Sequence, residues 1–390
     1  MTTPMDATQT HIYHGGSSDE VLRSGALDES EFYWRDLQPW LKTCGYQLRP
    51  RYQPDWVPSW KGDMPILRKR PEDGYRLLRA AILDATRIED GKRISLKRIR
   101  KSIHPYEVGI TQIFNNGSLL TDPQNHCVPV LDVLYPPNYP DETIIVLPFL
   151  QSITTPRFDT FGEVIDCLDQ LFKGLQFIHR QNVAHRDISS ANVMMEGNKL
   201  FPGSWHHIYT ERAPNGRDLA KFFTRTQRPP KYYFIDFGLS RQYDPSEDDP
   251  LEPRIIGGDK TVPEFQTSTG PFNPFHTDIY YMGNLVREYF TEGCDRSHIK
   301  GHYGIEFLQP LINDMVQDDP KKRPTIDEVV VRFEEIRKGL GSWKLRSRPR
   351  PKKEFIFKAI PHICGHWIRR VGYVVRRVPP IPSERPNRET

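Results

Sequence analysis

The stretch HRDISSAN, residues 185–192, decides how this sequence is interpreted. A histidine, two charged residues and an asparagine stand together here, and the flanking letters NVAH and NVMM predict short strands on either side. Polar side chains at the turn between two strands favour a functional site over a packed core. The open question is whether Ser189, two residues after Asp187, leaves that site complete.

The composition predicts a folded centre with loose ends. The chain has 390 residues, of which 37% are hydrophobic, and 35 of them are proline. It is long enough for two lobes or for one large domain with extensions. Residues 342–390 contain 13 Lys and Arg against 3 Asp and Glu, a net charge of +10 in a chain whose total is +4. The basic character therefore belongs to the C-terminal segment.

Scattered cysteines exclude two kinds of site. Their number is odd and no two of them form a C-x-x-C pair, so the sequence predicts neither a disulfide framework nor a zinc site. The five cysteines are Cys44, Cys127, Cys167, Cys294 and Cys364. No early segment has the flanks of a signal peptide, and no run of about 18 apolar residues occurs. The sequence predicts a soluble intracellular protein, in the cytoplasm, the nucleus or both.

Predicted strands come first along the chain and predicted helices follow. Residues 82–99 predict two strands joined by a turn at Asp90-Gly91, and residues 142–150 predict a buried strand. Thr160 and Glu163 predict a capping box at the start of a long core helix. Further helices are predicted around 280–290, 307–316 and 326–338. The order favours an α+β fold with two lobes.

Composition divides the chain into five parts. The polar start is predicted to be disordered, an aromatic and proline-rich irregular extension packs on the body, and a β-rich lobe precedes a helical lobe that carries a long insertion and a basic tail. The boundaries are 1–30, 31–75, 76–150, 151–340 with the insertion at about 193–231, and 341–390.

Several short motifs, taken in order, resemble the eukaryotic protein kinase superfamily. They are HRDISSAN (185–192), IDFGLS (235–240), VPE (262–264), DIYYMG (278–283) and DPKKRPT (319–325). The resemblance covers about residues 76–340, and the HRDIS variant with its proline-rich insertions is similar to divergent kinase-like proteins of fungi. It implies a two-lobe protein kinase-like fold, with a small β-rich N-lobe and a larger helical C-lobe, that uses ATP and Mg²⁺.

The resemblance implies roles for five residues. Asp187 matches the carboxylate that accepts the proton of the attacking hydroxyl. Asn192 and Asp236 match the magnesium ligands, and hard cations take oxygen donors. Lys97 matches the strand lysine that holds the α- and β-phosphates, with Glu107 as its ion-pair partner. A lone strand lysine is usually solvated and a lone aspartate usually caps a turn, but here they occur in the family's order.

Other matches concern the adenine ring and the scaffold. The positions that match the nucleotide contacts are Ile82, Leu147, Pro148 and Leu150. Pro148 has no N–H, but the residue that it matches in this family contributes only its carbonyl, and Leu150 is the implied hydrogen-bond donor. Glu264 and Arg323 match a buried ion pair that anchors the activation segment, and Asp278 matches an acid that holds the backbone of the catalytic loop.

Three departures from the family pattern bear on activity. The segment GYRLLRAAI (74–82) lacks the glycines that let backbone N–H groups approach phosphate. Ser189 stands where Ser/Thr kinases have a lysine, and Gly257 stands where they have a threonine. Two interpretations follow: a weak or atypical protein kinase that favours Ser/Thr hydroxyls, or a pseudokinase scaffold that binds nucleotide or partners. A small-molecule phosphotransferase is a third alternative.

Two segments are candidates for partner recognition. The insertion at 193–231 is predicted either to form a basic flap that recognises an acidic partner or to pack only on the large lobe. Residues 344–378 are predicted to contact an anionic membrane surface, to act in nuclear import or to form a flexible solubilising tail. No nucleic-acid motif is found, and the pattern specifies neither the protein substrate nor the oligomeric state.

Overall fold

The computed structural model describes residues 25–62, 70–247, 249–255, 258–267, 269–294 and 299–382. The chain divides into two compact units. The first consists of the described residues up to Asn115 together with Val128–Gln151 and Phe201–Phe222. The second consists of Asn116–Cys127, Ser152–Leu200 and the chain from Phe223 onward. The fold is mixed α/β, which is compatible with the predicted kinase-like fold. The predicted disorder of residues 1–30 falls mostly outside the described residues.

The helices and strands of the described residues follow in chain order. The helices are α1 Glu29–Thr43, α2 Glu107–Phe114, α3 Gly117–Thr121, α4 Phe161–Arg180, α5 Pro263–Thr267, α6 Pro274–Val286, α7 Gln309–Met315, α8 Ile326–Gly339, α9 Ser342–Leu345 and α10 Ile356–Val375. The strands are β1 Tyr46–Leu48, β2 Ile82–Arg87, β3 Arg93–Arg100, β4 Asp132–Leu134, β5 Glu142–Pro148, β6 Gln151–Ser152, β7 Val183–Ala184, β8 Val193–Met195, β9 Tyr232–Phe234, β10 Arg241–Gln242, β11 Gly293–Cys294, β12 Ile299–Lys300, β13 His302–Tyr303 and β14 Arg350–Pro351.

An antiparallel sheet in the order β1-β2-β3-β5-β4 forms the framework of the first unit. The turn between β2 and β3 contains Gly91 at a φ of +68°, a conformation that glycine adopts without a steric penalty. Ile82 pairs with Lys97, and Lys97 pairs on its other side with Ile145. The hairpin predicted at Asp90-Gly91 is confirmed, and Lys97 lies on a central strand.

Helix α1 packs its apolar face against the same sheet. Asp28 and Glu31 form a capping box at its start. The side chains that join the core recur at helical spacing: Tyr33, Trp34, Leu37 and Leu41. Residues 31–75 were predicted to be irregular, yet they contain most of α1 and all of β1. Burial of this apolar face outweighs the one helical hydrogen bond that Pro39 removes.

Part of the long insertion belongs to the first unit. The Trp205 ring stacks on Phe149, with centroids 5.0 Å apart and an interplanar angle of 19°. Arg93 Nη1 donates to the Trp205 carbonyl, and Gln151 Nε2 donates to the Thr210 carbonyl at 3.0 Å. The expectation that the insertion packs only on the large helical lobe is therefore wrong for this part, because its aromatic ring finds an apolar partner at the end of β5.

Helix α4 is the central helix of the second unit. Thr160 Oγ1 accepts a hydrogen bond from Glu163 N at 3.1 Å, so the predicted cap is present. The Glu163 carboxylate bonds to Asp159 N instead of Thr160 N, so the reciprocal half of the predicted capping box is absent. Phe172 packs edge-on against Phe333 of α8, with centroids 4.9 Å apart.

The described part of the basic tail packs on the second unit. Within α10, Arg369 Nη2 lies 2.6 Å from Asp159 Oδ1. Tyr373 shares a hydrogen bond of 2.8 Å with Thr224 Oγ1. These contacts contradict a flexible tail for the described residues. Among all the residues that the structure describes, no helix has the combined length and apolar character needed to cross a membrane.

Candidate active site

Strands β8 and β9 bring Asn192 and Asp236 to the same end of a strand pair. Val193 pairs with Phe234, and Ile235 N donates to Asn192 O at 3.0 Å just beyond that pair. Asp236 follows directly, at a φ of +66°. Non-glycine residues rarely adopt this left-handed conformation, which costs about 1–3 kcal/mol and clusters at functional sites. The local backbone therefore orients Asp236 at an energetic cost.

Hydrogen bonds fix Asp187 to Asn192. The Asn192 Nδ2 group donates to Asp187 Oδ2 at 2.7 Å and to the Asp187 carbonyl at 2.9 Å. Ser189 supports the turn between them, because its carbonyl accepts from Asn192 N at 3.0 Å and its Oγ accepts from Ala191 N at 3.3 Å. Since Nδ2 is directed at Asp187, the Asn192 Oδ1 atom is directed to the opposite side of the amide.

Asp278 holds the backbone of the loop that contains Asp187 by accepting hydrogen bonds from it. Its fully buried carboxylate accepts from His185 N and Arg186 N, each at 2.7 Å. His179 Nε2 lies 3.1 Å from the same carboxylate. Arg186 is held at a φ of +67°. The predicted scaffold role of Asp278 is confirmed, and these bonds stabilise an otherwise strained loop.

A buried ion pair joins α5 to the segment before α8. Arg323 Nη1 donates to Glu264 Oε1 at 2.8 Å, and Nη2 donates to Oε2 at 2.6 Å. Both side chains are almost entirely excluded from solvent. This bidentate geometry is the strongest form of an arginine–carboxylate contact. The pair predicted from VPE and DPKKRPT is confirmed.

Gly258 is a site residue that sequence reasoning missed. Its φ is +73°, and a Cβ atom built on it would lie 2.7 Å from Asp187 Oδ1. The backbone at Gly258 therefore approaches the Asp187 carboxylate so closely that an added Cβ atom would displace it. The Gly257-Gly258 pair ahead of VPE was the sequence signal that could have identified this residue. The prediction concerned its first member, Gly257, which lies outside the described residues.

The first unit contains the predicted lysine–glutamate pair. Lys97 Nζ forms an ion pair with Glu107 Oε1, and both side chains are largely buried. Glu107 is the first residue of α2 and lies ten residues after Lys97 in sequence. Thr111 is buried and donates from Oγ1 to the Glu107 carbonyl at 2.6 Å.

The segment at 74–82 takes a form unlike a glycine-rich phosphate loop. Trp34 Nε1 donates to the Ala80 carbonyl at 3.0 Å, and Ile82 N donates to the Arg79 carbonyl at 3.1 Å. Tyr75 is buried, and Arg98 N donates to the Ala81 carbonyl at 2.8 Å. These backbone groups are committed to protein partners.

The predicted site residues divide between the two units. The first unit holds the lysine–glutamate pair and the four positions matched to nucleotide contacts, namely Lys97, Glu107, Ile82, Leu147, Pro148 and Leu150. Of the latter, Ile82 begins β2, while Leu147 and Pro148 end β5 opposite Ser95 and Ile94. The second unit holds Asp187, Asn192 and Asp236, which the loop and the β8-β9 pair bring together.

The donor set of the second unit fits a hard divalent cation. Asn192 and Asp236 present amide and carboxylate oxygens, the ligands that Mg²⁺ takes in proteins. Among the residues described, no group of three or more His, Cys, Asp or Glu side chains is placed to hold a metal ion. Asn192 Oδ1 and the Asp236 carboxylate are the groups that would hold such an ion.

Comparisons with known proteins agree on one broad class. No family model matches the chain. It is 24% identical over 270 residues to the putative serine/threonine-protein kinase R436 of Acanthamoeba polyphaga mimivirus, covering 62% of this chain and 81% of that protein. It is 23% identical over 188 residues to a light-sensor protein kinase of Ceratodon purpureus, covering 42% of this chain and 13% of the relative. It is 25% identical over 161 residues to the serine/threonine kinase NLK of Caenorhabditis elegans, covering 39% of this chain and 24% of the relative. The chain thus spans a quarter or less of the last two relatives. These similarities to proteins named as kinases support a protein kinase-like superfamily for the chain.

Proposed function

We propose that this chain is an ATP- and Mg²⁺-dependent protein kinase that transfers the γ-phosphoryl group to a protein hydroxyl, with Ser or Thr favoured and with weak or atypical activity. The observation that carries this function is the pair of hydrogen bonds from Asn192 Nδ2 to Asp187, at 2.7 and 2.9 Å. They join the candidate base to a candidate metal ligand in one rigid loop. The resemblance to fungal kinase-like proteins and an intracellular location belong to the same proposal.

Each residue has a distinct task in the transfer. The Asp187 carboxylate accepts the proton of the attacking hydroxyl, whose oxygen forms a bond to the γ-phosphorus while the bond to the bridging β–γ oxygen breaks and ADP leaves. Asn192 Oδ1 and the Asp236 carboxylate would hold the metal. Magnesium, when bound, neutralises charge on the phosphate oxygens. Lys97 binds the α- and β-phosphates, and the Glu107 carboxylate orients its Nζ atom.

A pseudokinase scaffold is the second candidate function, and two observations favour it. The segment 74–82 has glycine only at its first position, and Ile82 N donates to the Arg79 carbonyl, so the segment offers no glycine-rich cradle of N–H groups for phosphate. Ser189 uses its hydroxyl to stabilise its own turn, where the family's lysine would reach the γ-phosphate. In this alternative the same residues bind nucleotide or a partner, and no phosphoryl transfer follows.

Phosphoryl transfer and nucleotide binding should be measured side by side. Purified protein is incubated with Mg²⁺ and radiolabelled ATP, and incorporation into itself and into generic protein substrates is counted. Thermal denaturation is followed as Mg²⁺-ATP is added. We expect Asp187→Asn to reduce transfer by about 10²- to 10⁴-fold, the usual range for a lost general base, and to retain the thermal shift. Asp236→Ala should weaken both, because it removes a metal ligand.

A lysine pair provides the matched control for nucleotide binding. Lys97→Met should abolish the thermal shift, whereas Lys92→Met should leave it unchanged, because the Lys92 side chain is exposed in the neighbouring turn. A thermal shift without transfer in the wild-type protein favours the scaffold. No response to Mg²⁺-ATP would defeat both candidates.

A further inference from the structure

Helix α10 directs Arg369 and Arg370 toward the protein. Arg369 donates to Asp159 from Nε at 2.9 Å and from Nη2 at 2.6 Å. Arg370 lies over the Trp343 ring, 3.6 Å from its centroid, and donates to the Trp343 carbonyl at 3.0 Å. A surface helix of a water-soluble domain normally does the opposite and buries its apolar face. The arrangement leaves the other face of α10 to be explained.

The outer face of α10 is a continuous apolar surface. Its members and their exposed fractions are Phe357 88%, Ile360 50%, Ile363 40%, Trp367 46%, Ile368 75%, Val371 57%, Val374 52% and Val375 75%. At 3.6 residues per turn these side chains occupy an arc of about 140°. Cys364 lies within the same arc and is also exposed. Single exposed apolar residues are common, but a contiguous surface of this kind indicates an interaction site.

Charge around this face has one sign. The helix sequence IFKAIPHICGHWIRRVGYVV contains no acidic residue. Lys353 before the helix and Arg376 and Arg377 after it are exposed. The nearest acid along the chain, Glu354, is paired with Arg348. The apolar face is therefore flanked at both ends by positive charge.

We propose that the outer face of α10, together with Lys353, Arg376 and Arg377, docks the protein onto an anionic membrane surface. An interfacial helix inserts an apolar face at the headgroup boundary while basic residues contact anionic lipid. The anchoring contacts to Asp159, Thr224 and Trp343 hold α10 on the second unit, so the docked helix carries that unit with it. Docking does not depend on kinase activity.

Charge also argues against pairing of α10 with a second copy. The face has an apolar repeat that a helical pair also uses, with Phe357, Ile360, Cys364, Trp367, Val371 and Val374 at alternating steps of three and four. Two such helices would bring together exposed arginines with no acidic residue on either helix to balance them. An anionic lipid surface satisfies both the apolar and the basic part of the face.

The full chain should be sedimented with vesicles of phosphatidylcholine alone and with vesicles that contain 30% phosphatidylserine. We expect binding to the anionic vesicles, and a fall of at least about tenfold in the apparent partition constant for Ile368→Ser combined with Val371→Ser. Arg376→Ala with Arg377→Ala should reduce binding by roughly 25-fold, about fivefold for each basic residue. Val331→Ser on α8 is the matched control, because Val331 is 60% exposed and lies outside this face.

Thermal melting without vesicles separates docking from folding. The substituted side chains are exposed, so we expect all variants to melt as the wild type does. If Ile368→Ser with Val371→Ser unfolds, the vesicle binding of Arg376→Ala with Arg377→Ala tests the docking by itself. Equal binding to neutral and anionic vesicles, or no binding to either, would overturn membrane docking. Dimerisation in sedimentation velocity that Ile368→Ser with Val371→Ser abolishes, without vesicle binding, would identify a second copy as the partner and also overturn it.

Discussion

Single residues near Asp187 adopt backbone conformations that side chains disfavour. Arg186, Asp236 and Gly258 have φ angles of +67°, +66° and +73°. At Arg186 and Asp236 the backbone is strained, and this strained conformation sets the direction of each side chain. The Asp278 carboxylate fixes the backbone of Arg186. At the third, glycine avoids the strain and lets the backbone approach the Asp187 carboxylate. The concentration of such positions is typical of a functional loop.

Gly258→Ala should damage the site more than it damages the fold. A Cβ atom 2.7 Å from Asp187 Oδ1 would push that carboxylate away, so we expect at least a tenfold loss of phosphoryl transfer. Gly91→Ala is the control, because Gly91 has a similar φ of +68° and nothing within 4 Å of its Cβ position. Both variants should lose about 1 kcal/mol of stability. Equal transfer rates for the two variants would contradict a steric role for Gly258.

The pKa of Asp166 predicts a pH-dependent penalty on stability. Burial, together with the negative charges of Asp169 and Glu163, raises this pKa to about 7, although a hydrogen bond from Gln170 opposes the shift. The unfolded-state pKa is about 3.9, so between about pH 4 and pH 7 the folded state binds the proton more tightly. Stability therefore falls as the pH rises through this range.

Asp166→Asn should remove that slope. We expect its melting temperature to exceed that of the wild type at pH 8 and to equal it near pH 4, as measured by calorimetry. Asp169→Asn should bring no such gain at pH 8, because it loses the Lys173 ion pair at 2.7 Å. A difference between Asp166→Asn and wild type that is constant with pH would show that the carboxyl does not titrate as described.

At the scale of elements, the Glu264–Arg323 pair ties helix α5 to the segment before α8. Arg323→Ala leaves the buried Glu264 carboxylate without its partner, so we expect a loss of about 3–5 kcal/mol in the free energy of unfolding. Arg332→Ala breaks an exposed pair with Asp314 and should cost no more than about 1 kcal/mol. Denaturant unfolding of both variants measures the difference. Similar losses would mean that the buried pair contributes no more than a surface contact.

Local signals predicted some elements better than others. The Asp90-Gly91 turn and helix α4 follow from turn chemistry, capping and periodicity, which act within a few residues. Helix α1 was missed because Pro39 and the many aromatic residues argued against a regular element. Its stability comes from packing against β2, β3 and β5, which no local pattern specifies. The Trp205–Phe149 stack was missed for the same reason, since 56 positions separate the two rings in sequence.

Over the whole molecule, charge and apolar exposure coincide in one segment. The tail carries the positive charge of a chain that is otherwise slightly acidic, and α10 exposes its apolar side chains there. The sequence composition showed that the positive charge lies in the tail. Only the contacts of Arg369, Arg370 and Tyr373 with the second unit determine which face of α10 is exposed.

The sequence by itself determined the order of the motifs, the identity of the acid, amide and lysine side chains, and the hairpin and helix signals, because these depend on residue type and short spacing. Tertiary structure alone decided that Asn192 bonds to Asp187, that Gly258 approaches the same carboxylate, and that α10 directs Arg369 and Arg370 inward. Such contacts join residues from different parts of the chain. Their geometry is set by packing and by the pairing of buried polar groups, which act only once the chain has folded.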